Sequence, residues 1–193
     1  MSATLRKSMT RDAFFAWVQA QEEPYEFDGF EPVAMTGGTN AHGMIADTIR
    51  FELRNRSSGS ACRPLGSDGG GIATIGDAVR YPDAAVTCSP IDGGSRLLPD
   101  PVVVFEVVSA SSVRTDRVLK LREYQAVPSI RHYVIVEPDA IAVTVFSRSA
   151  PGAPFIAAGL LEEDTIELPE IGIAIPVGAL YAGVATTGST VRA

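Results

Sequence analysis

The sequence is poor in cysteine and histidine and has no long apolar run, and each shortage excludes a class of protein. Only two of its 193 residues are cysteine and two are histidine. Cys62 and Cys88 stand outside any CxxC or paired-histidine pattern, so we expect no structural zinc and two free buried thiols. No apolar segment approaches the roughly 20 residues that a membrane-spanning helix needs. We therefore expect no membrane contact and a cytoplasmic location.

Positive charge is also in short supply. The 16 Lys and Arg residues face 23 Asp and Glu residues, which gives a formal net charge of -7 and a pI near 4.8. Proteins that bind nucleic acid usually carry basic surface, because neutralising phosphates supplies much of the affinity. The balance argues against a large nucleic-acid interface, although a local basic groove can coexist with a negative total.

The composition that remains is that of one globular domain, with 46% hydrophobic and 20% charged residues. We predict a single domain over 1–184 and a flexible tail over 185–193. Periodicity predicts helices from about Thr10, from a cap at Thr39 or Asn40 to about residue 55, and over 113–126. Strands are predicted at 25–35 (a hairpin), 78–88, 102–108, 131–137, 141–148, 155–158, 165–168 and 173–175. This order predicts an α/β sandwich with a mixed central β-sheet flanked by helices, plus short antiparallel strands.

Two acidic residues stand where a carboxylate is costly unless it is compensated. Glu106 interrupts the apolar run 102–108, which has the β-branched composition of a strand buried on both faces. An ionised side chain there needs a cation or a hydrogen-bonding partner. Asp83 lies in YPDAAV (81–86), at the start of another predicted strand. If the strands are neighbours, the two carboxylates converge and suit Mg²⁺; otherwise Asp83 caps a turn and Glu106 faces solvent.

Seven segments, taken in order, resemble a known family. They are Met9-Thr10, YEFDG (25–29), His42, YPDAAV (81–86), PVVVFEVVS (101–109), Asp116, Lys120 and Tyr124 in D-x3-K-x3-Y spacing, and IRHYVIVEP (130–138). Together they resemble the Uma-two family of restriction-type endonucleases, within the PD-(D/E)XK nuclease superfamily, over roughly residues 9–180. The resemblance implies a restriction-endonuclease-like fold and a magnesium-dependent endonuclease that hydrolyses phosphodiester bonds in DNA.

The resemblance also implies roles for individual residues. Asp83 and Glu106 would bind Mg²⁺ or Mn²⁺, with the backbone carbonyl of Val107 as a third ligand. The lysine of the superfamily's E-x-K pattern is a valine here, at position 108. Lys120, on the next predicted helix, would replace it and orient the attacking water or stabilise the phosphate. The alternative for Lys120 is a solvated lysine paired with Asp116.

Glu26 and His42 complete the predicted catalytic set. Glu26 would bind a second metal ion or position the water, and its alternative is a surface carboxylate on a strand. His42 stands near the start of a predicted helix and would point towards the site. A lone histidine in that position is also often a core or capping residue, and the number of metal ions stays open.

The remaining expectations concern partners and the competing functions. Candidate contacts to the DNA backbone are Arg54, Arg56, Arg114 and Arg117. Tyr81 stands where the family frequently has arginine, which removes a cation beside the expected phosphate site, although Arg80 is adjacent. The alternative function is a catalytically idle or repurposed binding protein with an acidic protein-interaction surface. A third is an enzyme acting on small phosphorylated molecules. The apolar balance and the C-terminal edge strands favour a homodimer.

Overall fold

A computed structural model describes residues 9–35, 37–108 and 114–185. The predicted helices and strands occur in the predicted order, and the strand at Arg63–Gly66 and the helix at Val177–Leu180 are additional. The helices are α1 (Arg11–Val18), α2 (Asn40–Arg56), α3 (Arg114–Gln125) and α4 (Val177–Leu180), with a 3-10 turn at Pro169–Ile171. The strands are β1 (Tyr25–Phe27), β2 (Pro32–Ala34), β3 (Arg63–Gly66), β4 (Ile72–Ala73), β5 (Val79–Arg80), β6 (Ala84–Thr87), β7 (Pro101–Val107), β8 (His132–Val136), β9 (Ala142–Ser147), β10 (Ile156–Leu161), β11 (Thr165–Leu168) and β12 (Ile173–Pro176).

The first two helices each begin at a threonine cap. The hydroxyl of Thr10 accepts a hydrogen bond from the N–H of Ala13, and that of Thr39 accepts one from the N–H of His42. These bonds satisfy backbone donors that have no partner within the helix. Thr39, rather than Asn40, is therefore the cap of α2, and His42 lies in the first turn of that helix.

A six-stranded sheet in the order β10-β9-β8-β7-β6-β3 separates two cores. Strands β7 and β8 are parallel and the other neighbours are antiparallel, so the predicted mixed sheet is confirmed. On one face, Val103, Phe105 and Val107 pack with the buried side chains of α2. On the other face, Val104 and Val108 pack with Tyr124 of α3. The strand that carries Glu106 is thus buried on both faces, as its β-branched run predicts.

The segment 78–88, predicted as one strand, forms two strands in different sheets. Strand β5 belongs to a four-stranded sheet in the order β2-β1-β5-β4, and β6 belongs to the central sheet. The break falls at Pro82, which has no N–H to donate to a ladder and is therefore confined to strand ends, edges and bulges. The chain crosses from one sheet to the other at this point. Asp83 consequently lies at the junction of the two sheets.

The prediction of two free thiols is wrong, because Cys62 and Cys88 form a disulfide. Strands β3 and β6 are antiparallel, with Arg63 opposite Thr87, so the next pair outwards places position 62 opposite position 88. Sequence spacing alone does not reveal strand register, so the pairing of the two cysteines does not follow from the sequence. The disulfide ties the edge strand β3 to the central sheet. Disulfides are rare in the cytosol, so this one does not favour the predicted cytoplasmic location.

Removing the disulfide will lower the free energy of unfolding by about 3 kcal/mol, because a closed loop with a sequence separation of 26 residues restricts the unfolded chain. For a domain of this size, that loss corresponds to a melting temperature lower by ~6–12 °C. Thermal denaturation of the Cys62→Ser, Cys88→Ser variant measures it. Wild-type protein treated with reductant should have the same melting temperature as the variant. Identical melting of oxidised and reduced wild type would contradict the stabilising role.

The ends and surfaces of the molecule leave several expectations open. Among the described residues, no helix is long and apolar enough to cross a membrane. The predicted tail, apart from Ala185, falls outside the described residues. Strand β10 forms one edge of the central sheet, and its end residues Ile156 and Leu161 are exposed. A homodimer through this edge stays a prediction.

Candidate active site

The two predicted metal ligands lie on neighbouring strands at the same level. The antiparallel register of β6 and β7 pairs Ala84 with Phe105, and one step further it places Asp83 opposite Glu106. Oδ2 of Asp83 accepts a 2.7 Å hydrogen bond from the backbone N–H of Val107. The two carboxylates are therefore close together, and the charge of Asp83 acts on Glu106.

Helix α3 brings an ammonium group and a phenol to Glu106. Nζ of Lys120 lies 3.0 and 3.1 Å from the two carboxylate oxygens of Glu106 and donates to both. The hydroxyl of Tyr124, one helical turn further on, donates to Oε1 of Glu106 at 2.7 Å. Lys120 also lies 3.6 Å from Glu26. Lys120 is therefore not a solvated lysine; the side chain of its alternative partner, Asp116, lies outside those described.

Glu106 is short of positive charge in spite of Lys120. Its side chain is buried, and this burial raises its pKa to about 7. The negative charges of Asp83 and Glu26 also raise the pKa, while the ammonium of Lys120 and the hydrogen bond from Tyr124 lower it. A further positive charge beside Glu106 would stabilise its ionised form.

The two donors to Glu106 both hold their protons firmly. Burial by itself would lower the pKa of Lys120, but the negative charges of Glu106 and Glu26 raise it above its ordinary value. Burial and the charge of Glu106 raise the pKa of Tyr124 well above its usual range. Lys120 is therefore a fixed cation at neutral pH, and neither side chain is suited to act as a general base.

A second buried ionic group supports the first. The guanidinium of Arg80 donates to both oxygens of Glu123, at 2.6 and 2.8 Å, and to Glu26 at 3.1 Å. Glu26 also accepts a hydrogen bond from the backbone N–H of Tyr81 at 3.1 Å. Burial would lower the pKa of Arg80, but its bonds to Glu123 and Glu26 raise it above its ordinary value. Glu26 thus joins this group to Lys120.

Sequence reasoning missed this second group. In the sequence, Arg80 stands out only as a neighbour of Tyr81, and the sequence prediction does not include Glu123. One signal was available, because Lys120 and Glu123 stand three residues apart on a predicted helix and must share a face. The proposed second-metal or water-positioning role of Glu26 stays a prediction.

The donor chemistry of the cluster fits one divalent metal ion. Among the described side chains, the ionised cluster holds four carboxylates and two cations: Glu26, Asp83, Glu106 and Glu123 against Arg80 and Lys120. When all four carboxylates are ionised, they outnumber these two cations by two, and carboxylate oxygens suit Mg²⁺ and Mn²⁺.

The ligand set is small. Over residues 9–35, 37–108 and 114–185, no group of three or more His, Cys, Asp or Glu side chains is arranged to hold a metal ion. Asp83 and Glu106 are thus two candidate ligands, with no third described carboxylate or imidazole arranged to complete a metal site, and their metal-binding role stays a prediction. The carbonyl of Val107 as a third ligand stays a prediction.

Helix α2 places two basic side chains beside Asp83. Nε2 of His42 lies 3.5 Å from Oδ1 of Asp83, and Arg50 donates to the backbone carbonyl of Asp83 at 3.2 Å. The ring of His42 packs against Gly38, where an added Cβ would lie 2.5 Å from the ring. His42 points towards the site through Asp83, and its catalytic role stays a prediction.

Two of the four arginines predicted to contact DNA, Arg54 and Arg56, have described side chains. Both lie in the last turn of α2, far from His42 in the first turn. Arg56 forms an ion pair with Glu52 at 2.8 Å. Arg54 lines a separate cavity of about 340 Å³ together with Cys62 and Arg63. The side chains of residues 114 and 117 lie outside those described. The role of all four arginines in DNA binding stays a prediction.

The raised pKa of Glu106 predicts a pH-dependent loss of stability in metal-free protein. A carboxyl group with a folded-state pKa of about 7 and an unfolded value near 4.3 stabilises the fold below the unfolded value. That contribution is lost as the pH rises through the folded value. The stability of wild type relative to Glu106→Gln should therefore fall between about pH 4.5 and 7 in EDTA. Urea denaturation of both proteins measures this, and a constant difference would contradict the raised pKa.

The mixed sheet between helices, with its two neighbouring carboxylates and half-buried lysine, defines an α/β domain of the restriction-endonuclease-like class. The chain belongs to the Uma2 family, described as "Putative restriction endonuclease", whose profile matches residues 11–177. An uncharacterized protein from Synechocystis sp. is 26% identical over 178 residues, which cover 92% of this chain and 93% of that protein. The crystal structure of a "putative nuclease belonging to DUF820" from Anabaena variabilis matches with a TM-score of 0.71 at 14% identity, covering 92% of this chain and 99% of that one. This last likeness shows the fold.

Proposed function

We propose that the protein is a metal-dependent endonuclease that hydrolyses phosphodiester bonds in DNA, using Mg²⁺ or Mn²⁺. The observation that carries the proposal is the proximity of three groups: Nζ of Lys120 lies 3.0 Å from Glu106, and Asp83 is bound to the backbone N–H of Val107, the residue after Glu106. Membership of a family of restriction endonucleases supports a nuclease. The metal and the DNA substrate are the proposed part.

In the proposed reaction, the carboxylates would bind the metal ion and the lysine would stabilise the phosphate. A divalent ion held by Asp83 and Glu106 would lower the pKa of a bound water and neutralise charge on the phosphate. Lys120 stays protonated and lies beside the same carboxylate, so it would donate to a non-bridging phosphate oxygen. Tyr124 and the Val107 N–H each hold one carboxylate by a hydrogen bond. They would fix the ligand geometry before substrate arrives.

The alternative is an idle nuclease fold that binds a protein partner through its acidic surface, and the net charge of -7 favours it. The buried state of Glu106 opposes it. A buried carboxylate that lacks sufficient positive charge destabilises the fold, and an apolar side chain would be more stable in its place. Its presence is understandable if a metal ion supplies the missing charge.

The test compares wild type with Asp83→Asn and with Glu163→Gln, a control that alters an exposed carboxylate elsewhere. Wild type and the control should nick supercoiled plasmid DNA with Mn²⁺ or Mg²⁺ but not with EDTA. Asp83→Asn should lose at least about two orders of magnitude in rate, because a weakened metal site forfeits several kcal/mol of charge stabilisation. Equal nicking by all three proteins would identify a contaminant.

Metal binding is measured separately through thermal stability. At a metal concentration of about 100 times the dissociation constant, Mn²⁺ should stabilise wild type by about 2.7 kcal/mol, and Asp83→Asn should lose most of this. Wild-type protein that is neither stabilised by Mn²⁺ nor active on DNA would support the idle binding protein instead.

A further inference from the structure

A second cavity, of about 340 Å³, opens beside the candidate active site. Its walls include two tyrosines, one arginine and three carboxylates, next to a few apolar side chains. The residues are Val18, Glu22, Glu23, Pro24, Tyr25, Met35, Ser67, Asp68, Tyr81 and Arg96. The volume lies in the range of ~300–1,000 Å³ that small-molecule sites occupy. Tyr25 adjoins Glu26 in the sequence, and the backbone N–H of Tyr81 donates to Glu26, so the cavity adjoins the carboxylate cluster at Glu26.

The ring of Tyr81 is held in place from behind. An added Cβ at Gly71 would lie 3.1 Å from two atoms of the Tyr81 ring and 2.5 Å from Val79, so only glycine lets this ring lie against the backbone. The N–H of Gly71 donates to the carbonyl of Arg96 at 2.8 Å. Gly71 thus positions both the ring of Tyr81 and the backbone at Arg96.

The second tyrosine is also fixed. The ring of Tyr25 meets that of Trp17 edge to face, with centroids 4.9 Å apart. The backbone N–H of Tyr81 is bound by Glu26, which contacts Lys120 in the carboxylate cluster. The aromatic walls are therefore tied to the candidate active site by direct bonds rather than by a flexible loop.

The chemistry of the walls selects the ligand. Glu22, Glu23 and Asp68 outnumber Arg96, so the cavity repels a phosphate group. The same carboxylates accept hydrogen bonds from amino groups, Arg96 donates to a ring nitrogen or carbonyl, and aromatic faces bind planar rings by stacking. A nucleobase presents all of these features. An acidic protein also gains little from counterion release, so stacking is the larger source of affinity open to it.

We propose that this cavity binds an unpaired nucleobase of the DNA substrate, stacked on Tyr81, and that the protein therefore prefers single-stranded to fully paired DNA. This inference rests on the proposed function for the identity of the substrate, since it places the sugar-phosphate chain of the bound nucleotide towards Asp83 and Glu106. Bases inside a duplex are paired and stacked on each other, so they cannot enter the cavity.

The single tryptophan of the chain provides the measurement, because Trp17 contacts the cavity wall through Tyr25. Trp17 fluorescence is followed while Ca²⁺ and one of two DNA ligands are added. The ligands are a 12-nucleotide single strand and a blunt hairpin closed by a non-nucleotide linker, so that every base of the hairpin is paired. Gel electrophoresis verifies that the strand stays intact. The variants are Tyr81→Ala, Tyr81→Phe and Arg96→Met, and Phe51→Ala removes an exposed aromatic ring of α2 as the matched control.

Wild type should bind the single strand at least about tenfold more tightly than the hairpin. Tyr81→Ala should weaken single-strand binding roughly 5- to 150-fold, as expected for one stacked base, while Tyr81→Phe and Phe51→Ala stay within about twofold of wild type. Arg96→Met, whose side chain is exposed, should weaken binding several-fold without lowering the melting temperature. This variant retains the test if Tyr81→Ala fails to fold.

Equal binding of the single strand by wild type, Tyr81→Ala and Arg96→Met, or equal binding of strand and hairpin by wild type, overturns the inference. Metal-dependent plasmid cleavage together with such equal binding would overturn the inference and leave the proposed function standing. Single-strand binding that depends on Tyr81, without DNA cleavage at any metal concentration, would support the inference and contradict the proposed endonuclease activity.

Discussion

Replacing Lys120 with methionine is expected to slow DNA cleavage by about 100- to 1,000-fold, the usual loss when one positioned donor to transition-state charge is removed. Lys120 is the cation that contacts Glu106, at 3.0 Å, and it also approaches Glu26 at 3.6 Å. Without it, the negative charges of these carboxylates are less compensated and the pKa of Glu106 must rise further. The rate should therefore fall most steeply below neutral pH. Rates between pH 6 and 9 at a metal concentration below saturation measure both effects, because a saturating ion would itself keep Glu106 ionised.

Arg122→Met is the matched control, because Arg122 lies on the same helix with an exposed side chain. It should cleave at the wild-type rate across the pH range. A Lys120→Met enzyme with full activity, or with a uniform loss that does not depend on pH, would show that Lys120 has no part in the charge balance around Glu106. Equal melting temperatures of the two variants would exclude general destabilisation as the cause.

The sequence predicts the site well where local pattern constrains it. Glu106 stands within an apolar strand, so its burial follows from composition alone. Lys120 and Tyr124 are four residues apart on a predicted helix and must share a face. The chain also has 14 arginines but only two lysines among its 16 basic residues. A lysine at position 120 is therefore unusual for this chain, which is consistent with a role that arginine does not fill.

Features that depend on long-range register are not predictable in this way. The disulfide between Cys62 and Cys88 requires knowing which strands pair and in what register. The split of segment 78–88 into two sheets follows from Pro82, but the destination of each half depends on the whole topology. The contact of Arg80 with Glu26 and Glu123 joins three distant segments, and the sequence does not single out these charges from surface ones.

The acidic composition, which argues against a nucleic-acid enzyme, takes on a different meaning in the structure. Part of the negative charge lies in the buried cluster around Glu106, where it would attract the divalent ion of the proposed function. Another part lines the cavity beside Tyr81, where carboxylates would accept hydrogen bonds from a base. A low pI disfavours binding that depends on many phosphate contacts. It is compatible with a substrate held by one metal ion and one stacked base.

Replacing Arg80 with methionine is expected to lower the free energy of unfolding by about 3–5 kcal/mol, because it leaves the carboxylates of Glu123 and Glu26 buried without their common partner. The three side chains are each 10% exposed or less, so water cannot compensate the loss. The melting temperature should fall by ~6–20 °C for a domain of this size. Urea denaturation at neutral pH measures the change.

Arg56→Met supplies the comparison, because its ion pair with Glu52 lies at the surface and is worth about 0.3–0.5 kcal/mol. Adding Glu26→Gln and Glu123→Gln to Arg80→Met should restore much of the stability, since neutral amides cost less to bury than unpaired carboxylates. If the triple variant is no more stable than Arg80→Met, the loss comes from packing of the arginine stem rather than from uncompensated charge. Because Glu26 connects this group to Lys120, a charge-based loss would also mean that the active-site cluster and the fold depend on the same buried ion balance.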